Sequence, residues 1–399
     1  MKIAVVVEEF PALSETFVLN QITDLIDRGH DVTIIANKKR NEKKIHSNYK
    51  DYDLINKTIY YETPPHKLKR FKILLDTDIP KAKMLKSFLY NKTALNLKHA
   101  YLYKNLKDIE NFDVIYCHFG TNGLIIALLK QLGLIKSKLV TVFHGNDVSQ
   151  YLNKQGNDIY NILFKNGDIF LTVNSYFKDK LISLRCPVSK IHVHHMGVKT
   201  IHTEGETKSI NNFPAILSIG RLVEKKGFQY AIKAAKILKD KGVNFRYTIV
   251  GDGPLYESLE NMIIRYDLQK HVLLIGPKTS SEVEELLENS NIFIAPSVTA
   301  SNGDQEGIPM VIMEAINHHI PVISTFHSGI PELISHMNTG YLCEEKNPTA
   351  IANNIEYIIN NYNYSLEMTD FAKQKLETEF NLDKQNKKLI KILEEIKES

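Results

Sequence analysis

Gly303-Asp-Gln-Glu-Gly-Ile-Pro-Met-Val-Ile-Met-Glu-Ala315 joins a polar loop to an apolar run. A short apolar strand, Ile292 to Ala295, precedes it and ends in Pro296-Ser297. Proline fits the first turn of a helix, where its missing N–H is not needed. The spacing therefore predicts a helix start at Ile308 or Pro309. Glu306 then lies in the loop just before the helix, and Glu314 about one and a half turns inside it. The first free N–H groups, those of Met310 and Val311, sit at the positive end of the helix dipole, which suits a phosphate. A carboxylate in front of such a site can accept hydrogen bonds from sugar hydroxyls, and one behind it can reach a ribose. The spacing alone also fits a solvated loop glutamate and a structural helix glutamate.

Upstream, the strand Ala215 to Ile219 runs into Gly220-Arg-Leu-Val-Glu-Lys-Lys-Gly227. A helix follows, with Phe228, Ala231, Ile232, Ala235 and Leu238 on one face. Arg221 at a strand end and Lys226 before a helix start are two cations on fixed backbone; a solvated charged turn has the same pattern. Arg246 to Val250 is a strand ending in Gly251-Asp-Gly-Pro254. This is not a dinucleotide loop: the third glycine position is Tyr256, and Pro254 removes an N–H. Gly251 and Gly253 are also what a tight turn requires. Val272 to Ile275 leads to Gly276-Pro-Lys278. Residues 199–212 are polar and aperiodic, the pattern of a linker.

The first half opens on the apolar run Lys2 to Val7, a buried parallel strand by pattern. A helix with Val18, Ile22, Leu25 and Ile26 on one face follows, then a strand from Asp31 to Ala36. This βαβ unit points to a doubly wound sheet. Its first turn has no glycine, which excludes a dinucleotide there. Strands then lead into His118-Phe-Gly, His144-Gly-Asn-Asp147 and Asn174-Ser175. Carboxyl ends of parallel strands line the ligand crevice, so His118, His144, Asp147 and Ser175 are expected on one edge.

Between His66 and Lys107 eleven basic residues face only Asp76 and Asp78, with Phe71, Leu74, Leu75, Leu85, Phe88 and Leu89 interleaved. Such a stretch can lie as a surface helix on anionic lipid; it is equally the pattern of an ordinary solvated helix. The chain has 399 residues, enough for two domains, and a net charge of only +4, which argues against nucleic acid. Three scattered cysteines, Cys117, Cys186 and Cys343, have no metal-ligand spacing and fit a reducing compartment. No apolar run reaches signal-peptide or membrane-span length. The expectation is a cytoplasmic protein, peripheral at the membrane if the basic segment touches lipid.

The context Glu-Gly-Ile-Pro-Met-Val-Ile-Met-Glu-Ala, with seven residues between Glu306 and Glu314, resembles the nucleotide-sugar site of retaining GT-B glycosyltransferases, in particular glycosyltransferase family 4. Ile320-Pro-Val-Ile-Ser-Thr-Phe-His-Ser-Gly-Ile-Pro-Glu332 is similar to the bacterial exopolysaccharide, colanic-acid-type branch, and Phe10-Pro-Ala-Leu-Ser-Glu-Thr-Phe17 to the corresponding N-terminal loop. The resemblance implies an α/β GT-B fold, two Rossmann-like doubly wound domains facing across a cleft. Residues 1–198 would form the acceptor domain, 199–212 a linker and 213–375 the nucleotide-sugar domain, with a helix in 376–399 returning to the first domain. The donor would be a nucleoside-diphosphate sugar of UDP or GDP type, used with no cofactor and no metal. The acceptor would be a saccharide or lipid-linked saccharide. By the same resemblance Arg221 and Lys226 clamp the diphosphate, Glu306 binds sugar hydroxyls and Glu314 the ribose. His144, in a His-Gly-x-Asp motif, faces the reacting centre. Gly220, Gly251, Gly253, Lys278, Gly307, Ile308, Pro309, Met310 and Val311 would line the donor pocket. Ser14, Glu15, Thr16 and His118 would meet the acceptor, although Ser14 to Thr16 also read as a helix cap, and Asp147 would orient His144 or touch the acceptor. Two other readings of the same residues are a nucleotide-sugar epimerase that hydrolyses its donor and a non-catalytic nucleotide-sugar-binding module.

Overall fold

A computed structural model describes residues 1–12, 16–40, 48–106, 111–200, 209–210 and 213–398. Ser14 and Glu15 lie outside the described residues. Two compact units result. One comprises 1–173, 177–194 and 386–399; the other comprises 174–176 and 195–385.

The first unit is built on seven parallel strands: β1 (Lys2–Phe10), β2 (Asp31–Lys39), β3 (Thr58–Tyr60), β4 (Val114–His118), β5 (Lys138–Phe143), β6 (Ile169–Thr172) and β7 (Ile191–Val193). Their order is β3-β2-β1-β4-β5-β6-β7. Ile3 to Val7 are inaccessible to solvent, as expected of a parallel strand covered on both faces. The second unit has six parallel strands: β8 (Ala215–Ile219), β9 (Arg246–Val250), β10 (Val272–Leu274), β11 (Ile292–Ala295), β12 (Val322–Thr325) and β13 (Tyr341–Cys343). Their order is β10-β9-β8-β11-β12-β13. Successive residues feed opposite faces. Ile216, Ile292 and Ile294 join one apolar layer with Ile232, Leu238 and Ile355. Leu217 and Phe293 join the other, with Ile312, Met313 and Ile316. Both orders reverse direction once, between β1 and β4 and between β8 and β11. Those are the points where a doubly wound sheet opens a crevice.

Three features differ from the sequence reading. First, the basic segment is not one helix. It is a chain of short pieces: Lys67–Arg70, a 3-10 turn Phe71–Leu75, Lys81–Tyr90, a second 3-10 turn Lys92–Asn96, and Lys98–Asn105. Pro80 is the N-cap of the third piece, Asn91 caps the next through its side chain, and Leu97 takes a left-handed φ of 59°. Each breaks helical continuity. Second, β2 continues past Ala36 to Lys39. Third, Asn174–Tyr176 cluster with the second unit. Glu332 accepts the Ser175 N–H at 2.7 Å and its hydroxyl at 3.3 Å, so Ser175 is not grouped with His118 and His144.

The helix Leu382–Glu398 begins in the second unit and ends in the first, where Lys397 Nζ lies 3.3 Å from Asp113 Oδ2. Among the described residues no helix is long and apolar enough to cross a membrane.

Candidate active site

In the second unit the site grows from the β8–β11 switch point. After β8 the chain passes Gly220 and Arg221, makes a 3-10 turn over Glu224–Lys226, reverses at Gly227 (φ 69°) and enters the helix Phe228–Asp240. Backbone bonds lace this segment to the next strand ends: Gly220 N–H to Val250 O at 2.9 Å, Leu222 N–H to Asp252 O at 2.9 Å. A Cβ on Gly251 would stand 1.9 Å from Gly220 O, and one on Gly253 2.6 Å from Leu222 O. Glycine at 251 and 253 is therefore required by strand-end packing, whatever else these residues touch. The Lys226 stem runs over Gly220, 3.2 Å from where a Cβ there would lie.

The loop from Pro296 to Pro309 is tied to this turn. Val298 N–H donates to Lys225 O at 2.8 Å, and Glu224 accepts the Ser301 N–H and hydroxyl at 2.9 and 2.7 Å. The loop delivers Glu306 to two ammonium groups, Lys226 and Lys225, each 3.4 Å from Oε1. Lys225 also holds Asp304 at 3.2 Å. Burial pushes the Glu306 carboxyl up, but the charges of Lys226 and Lys225 and their hydrogen bonds outweigh it and bring the pKa to about 2. Glu306 is thus a carboxylate at neutral pH. Arg221 is exposed, and its guanidinium has no hydrogen bond or ion pair among the described residues.

The helix itself is Met310–Asn317, one residue later than the spacing suggests. Pro309 is the N-cap and supplies no side-chain cap. The first intrahelical turn closes at Ile312 N–H to Pro309 O, 3.0 Å, so the N–H groups of Met310 and Val311 are left for an outside acceptor. Ile308 is buried, while Met310 and Val311 are partly exposed. Glu314 sits on the fifth helical position, partly buried, and no side-chain hydrogen bond is formed among the described residues. Burial, then the charge of Glu284, raises its carboxyl above the ordinary range. A carboxyl so placed gains from hydroxyl donors.

Two residues escaped the sequence reading. Lys225 is the second cation on Glu306. His327, inaccessible to solvent, accepts the Glu306 N–H on Nε2 at 3.0 Å and lies 2.6 Å from Glu345 Oε1 through Nδ1. These partners fix the tautomer: Nδ1 carries the proton. Glu345 also accepts the Thr299 N–H at 2.8 Å. Its carboxyl is pushed up by burial, but the His327 and Thr299 hydrogen bonds bring it below the usual range. Glu345 and His327 thus pin both ends of the loop bearing Glu306. Replacing His327 by phenylalanine is expected to lower kcat/KM about tenfold with little change in nucleotide affinity, measured by steady-state kinetics beside calorimetry. Lys278 was expected to line the donor pocket. Its ammonium pairs with Glu282 at 3.0 Å, beside the capping box Thr279–Glu282 that starts the next helix.

In the first unit, β4 ends at His118 and β5 leads into His144. Their rings stack at 5.3 Å and 17°, with Nδ1 of His118 3.1 Å from Nε2 of His144. Phe17 and Phe119 pack on His144 at 4.8 and 4.6 Å. Asp147 has both oxygens on backbone: Gly120 N–H at 2.8 Å, Gly145 N–H at 2.9 Å and His144 N–H at 3.1 Å. It is 2% exposed. Of the two roles expected of Asp147, orienting His144 or touching the acceptor, the structure shows it holding the His144 backbone. Thr16 is exposed at the start of the helix Thr16–Asp27.

Burial, then the charge of His194, lowers the His144 pKa to about 3, and burial takes His118 well below its usual value. Both rings are neutral at pH 7. An unfolded histidine takes a proton near pH 6.5, whereas folded His144 refuses it until about 3. Its contribution to stability is therefore complete above pH 6.5 and lost as pH falls toward 3. At pH 5 the loss amounts to about 2 kcal/mol. Urea unfolding at pH 7.5 and 5.0 should show a larger acid loss in the wild type than in His144→Asn.

Comparison with known proteins fits this geometry. The family model described as Glycosyltransferase Family 4 matches residues 14–201, and that described as Glycosyl transferases group 1 matches residues 203–375. The putative colanic acid biosynthesis glycosyltransferase WcaL of Salmonella typhimurium is 35% identical over 99% of this chain and 100% of its own. The chain belongs to glycosyltransferase family 4. Amylovoran biosynthesis glycosyltransferase AmsK of Erwinia amylovora is 36% identical over 99% of this chain and 100% of its own. Among solved structures, Anabaena HepE in complex with UDP-glucose superposes with a TM-score of 0.75 at 16% identity, covering 99% of this chain and 100% of that one. A glycosyltransferase from Rickettsia africae gives 0.70 at 20%, covering 99% and 98%. These likenesses identify the fold of this glycosyltransferase as GT-B.

Proposed function

We propose that this enzyme transfers a glycosyl group, with retention of anomeric configuration, from a nucleoside-diphosphate sugar to a hydroxyl of a saccharide or lipid-linked saccharide in exopolysaccharide synthesis. The observation that carries the reading is the partly buried Glu306 carboxylate beside Lys226, with the uncapped Met310 helix next in the chain. The named roles of the full-length relatives and the UDP-glucose bound to HepE support it. Arg221, Lys226 and the helix N–H groups take the charge that develops on the leaving diphosphate, without a resident metal. Glu306 receives sugar hydroxyls, and Glu314 the ribose hydroxyls. The bond from the anomeric carbon to the phosphate oxygen breaks as the acceptor oxygen bonds to the same face, and the acceptor proton passes to the departing phosphate. The role proposed for His144, neutral at pH 7, is to position the transferred sugar.

The first unit meets lipid in this reading. Leu68, Leu75 and Leu89 are at least 85% exposed, Leu85 and Leu95 over 60%. Lys69, Lys72, Lys81 and Lys86 around them are exposed and unpaired among the described residues. Apolar and cationic together suit an anionic bilayer surface. Vesicles with 30% anionic lipid, to name a workable mix of about that content, are expected to sediment the protein at low salt, and Leu85→Asp with Leu89→Asp to abolish this.

The test of transfer is product analysis with a panel of UDP- and GDP-sugars and oligosaccharide acceptors. Acceptor-dependent release of nucleoside diphosphate with an anomeric coupling unchanged from the donor supports the reading. Release of free sugar without an acceptor contradicts it.

A further inference from the structure

His118 ends β4 inaccessible to solvent, so it reaches the reaction only through a neighbour. That neighbour is His144. β4 and β5 stay in parallel register up to His118 and Val142, which sets the two histidines side by side at the strand ends. Their rings are nearly parallel, and the close approach is nitrogen to nitrogen, Nδ1 of His118 to Nε2 of His144 at 3.1 Å. Each ring is also held from outside the pair. The Tyr116 ring packs edge-on to His118 at 4.8 Å, and Phe17 and Phe119 pack on His144. Asn122 Nδ2 donates to the His118 carbonyl at 2.7 Å, and the His144 N–H donates to Asp147. His144 is partly exposed, and its Nδ1 makes no hydrogen bond among the described residues. With Nε2 turned to His118, Nδ1 is the nitrogen that a ligand can meet.

One proton lies in the contact between two neutral rings, and the ring that supplies it sets the character of His144 Nδ1. If His144 supplies it from Nε2, its own Nδ1 is bare and can only accept. His118 then carries an N–H on Nε2. If His118 supplies it from Nδ1, His144 carries its N–H on Nδ1, and Nε2 of His118 is a bare acceptor. That His118 Nε2 is buried and has no partner. Buried N–H groups without an acceptor are rare, and unsatisfied acceptors less so. The rest of the molecule behaves alike. Among the described residues five buried amide oxygens are unpaired, those of Asn122, Gln229, Asn317, Gln385 and Asn386, and no buried amide nitrogen is. The second arrangement is the one that leaves no idle N–H.

We propose that His118 is a positioning residue whose Nδ1–H holds His144 in the Nδ1–H tautomer, so that His144 presents a hydrogen-bond donor to a substrate oxygen. As a tautomer assignment this stands on the geometry of the pair; as a contribution to catalysis it rests on the transferase reading above. The choice of tautomer has a chemical consequence. A protonated Nδ1 has no free lone pair, so the ring can neither attack an anomeric carbon nor activate water against it.

The experiment uses the full chain with isotopically labelled histidine, read by long-range proton–nitrogen NMR correlation, with His144→Asn to assign the ring. Wild-type His144 is expected to show a protonated Nδ1 and a bare Nε2. His118→Asn offers an amide N–H in place of the ring N–H and should keep that pattern and most of kcat. His118→Asp offers only an acceptor, so the proton should move to His144 Nε2 and kcat fall at least tenfold, with affinity for the nucleoside diphosphate unchanged. His118→Leu, its fold checked by circular dichroism, serves should His118→Asp unfold; His144 should then lose its single tautomer, with the same loss of kcat. A bare Nδ1 on wild-type His144 overturns the proposal. So does a tautomer that does not respond to either variant, or one that responds with kcat unchanged. The expected tautomers with no transfer by the wild type keep the role of His118 and remove the transferase reading instead.

Discussion

Replacing Lys226 by alanine is expected to lower kcat/KM for transfer by about 10²–10³-fold, the usual cost of removing one preorganised charge from a leaving group. The two neighbouring lysines divide the work. Lys225 is bound to Asp304 as well as Glu306 and to the Gln305 carbonyl at 3.4 Å, so it holds the loop. Lys226 is bound only to Glu306 among the described residues, and its stem crosses the end of β8. In the proposed function it is the lysine that exchanges part of its contact for a diphosphate. The loss should fall on kcat as well as KM, since the charge it meets grows toward the transition state. A second signature follows from the carboxylate. Lys226 is the largest influence lowering the Glu306 pKa against burial. Without it the Glu306 carboxyl titrates higher, and the acid limb of the pH–rate profile moves up. Lys225→Ala should instead raise KM and loosen the loop.

Gly227→Ala is expected to cost the second unit about 2–5 kcal/mol. A left-handed φ of 69° strains any other residue by about 1–2 kcal/mol. The added methyl would lie 1.9 Å from the Pro296 carbonyl oxygen, a backbone atom that cannot turn aside. Relief requires the Lys225–Lys226 turn to part from the Pro296–Val298 loop, at the 1–3 kcal/mol typical of overpacking. Gly242→Ala is the control. Its φ is 73° and nothing lies within 4 Å of its Cβ position, so only the conformational part of about 1–2 kcal/mol remains. Urea midpoints followed by far-UV circular dichroism make the comparison, since the chain has no tryptophan. Equal losses at the two glycines would mean that the turn does not depend on Pro296.

Where the sequence pattern is local, it read through to structure. β8, β9 and β11 begin and end at the expected residues because apolar runs are cut by Gly220, Gly251 and Pro296. Glu306 and Glu314 fall before and inside a helix because Pro309 marks its start. What was not legible depends on partners far along the chain. His327 meets Glu306 across 21 residues and Glu345 across 18; its place after β12 in a family-like run was the only signal. That Asp147 orients His144 was one of two roles legible in the His-Gly-x-Asp motif; that it does so through backbone N–H groups, with Gly120 as a further partner, was not. The partner of Lys278 was legible in principle, since Thr279-Ser-Ser-Glu282 is a capping-box pattern that turns the Glu282 carboxylate back toward the residues before the helix. The lysine-rich segment misled because charge and hydrophobicity do not say where a helix stops; Asn91 and Leu97 do, through a cap and a left-handed turn.

In the proposed function the loop before Met310 and the turn at Lys226 hold a nucleoside-diphosphate sugar. Isothermal titration of a panel of nucleoside diphosphates and their sugars tests it most directly, on wild type, Lys226→Ala and Glu306→Ala. The account predicts one tight nucleoside-diphosphate sugar for the wild type. Both variants should bind it at least tenfold more weakly, and Glu306→Ala should keep its affinity for the nucleoside diphosphate alone. No binding by the wild type, or equal binding by all three proteins, would contradict it.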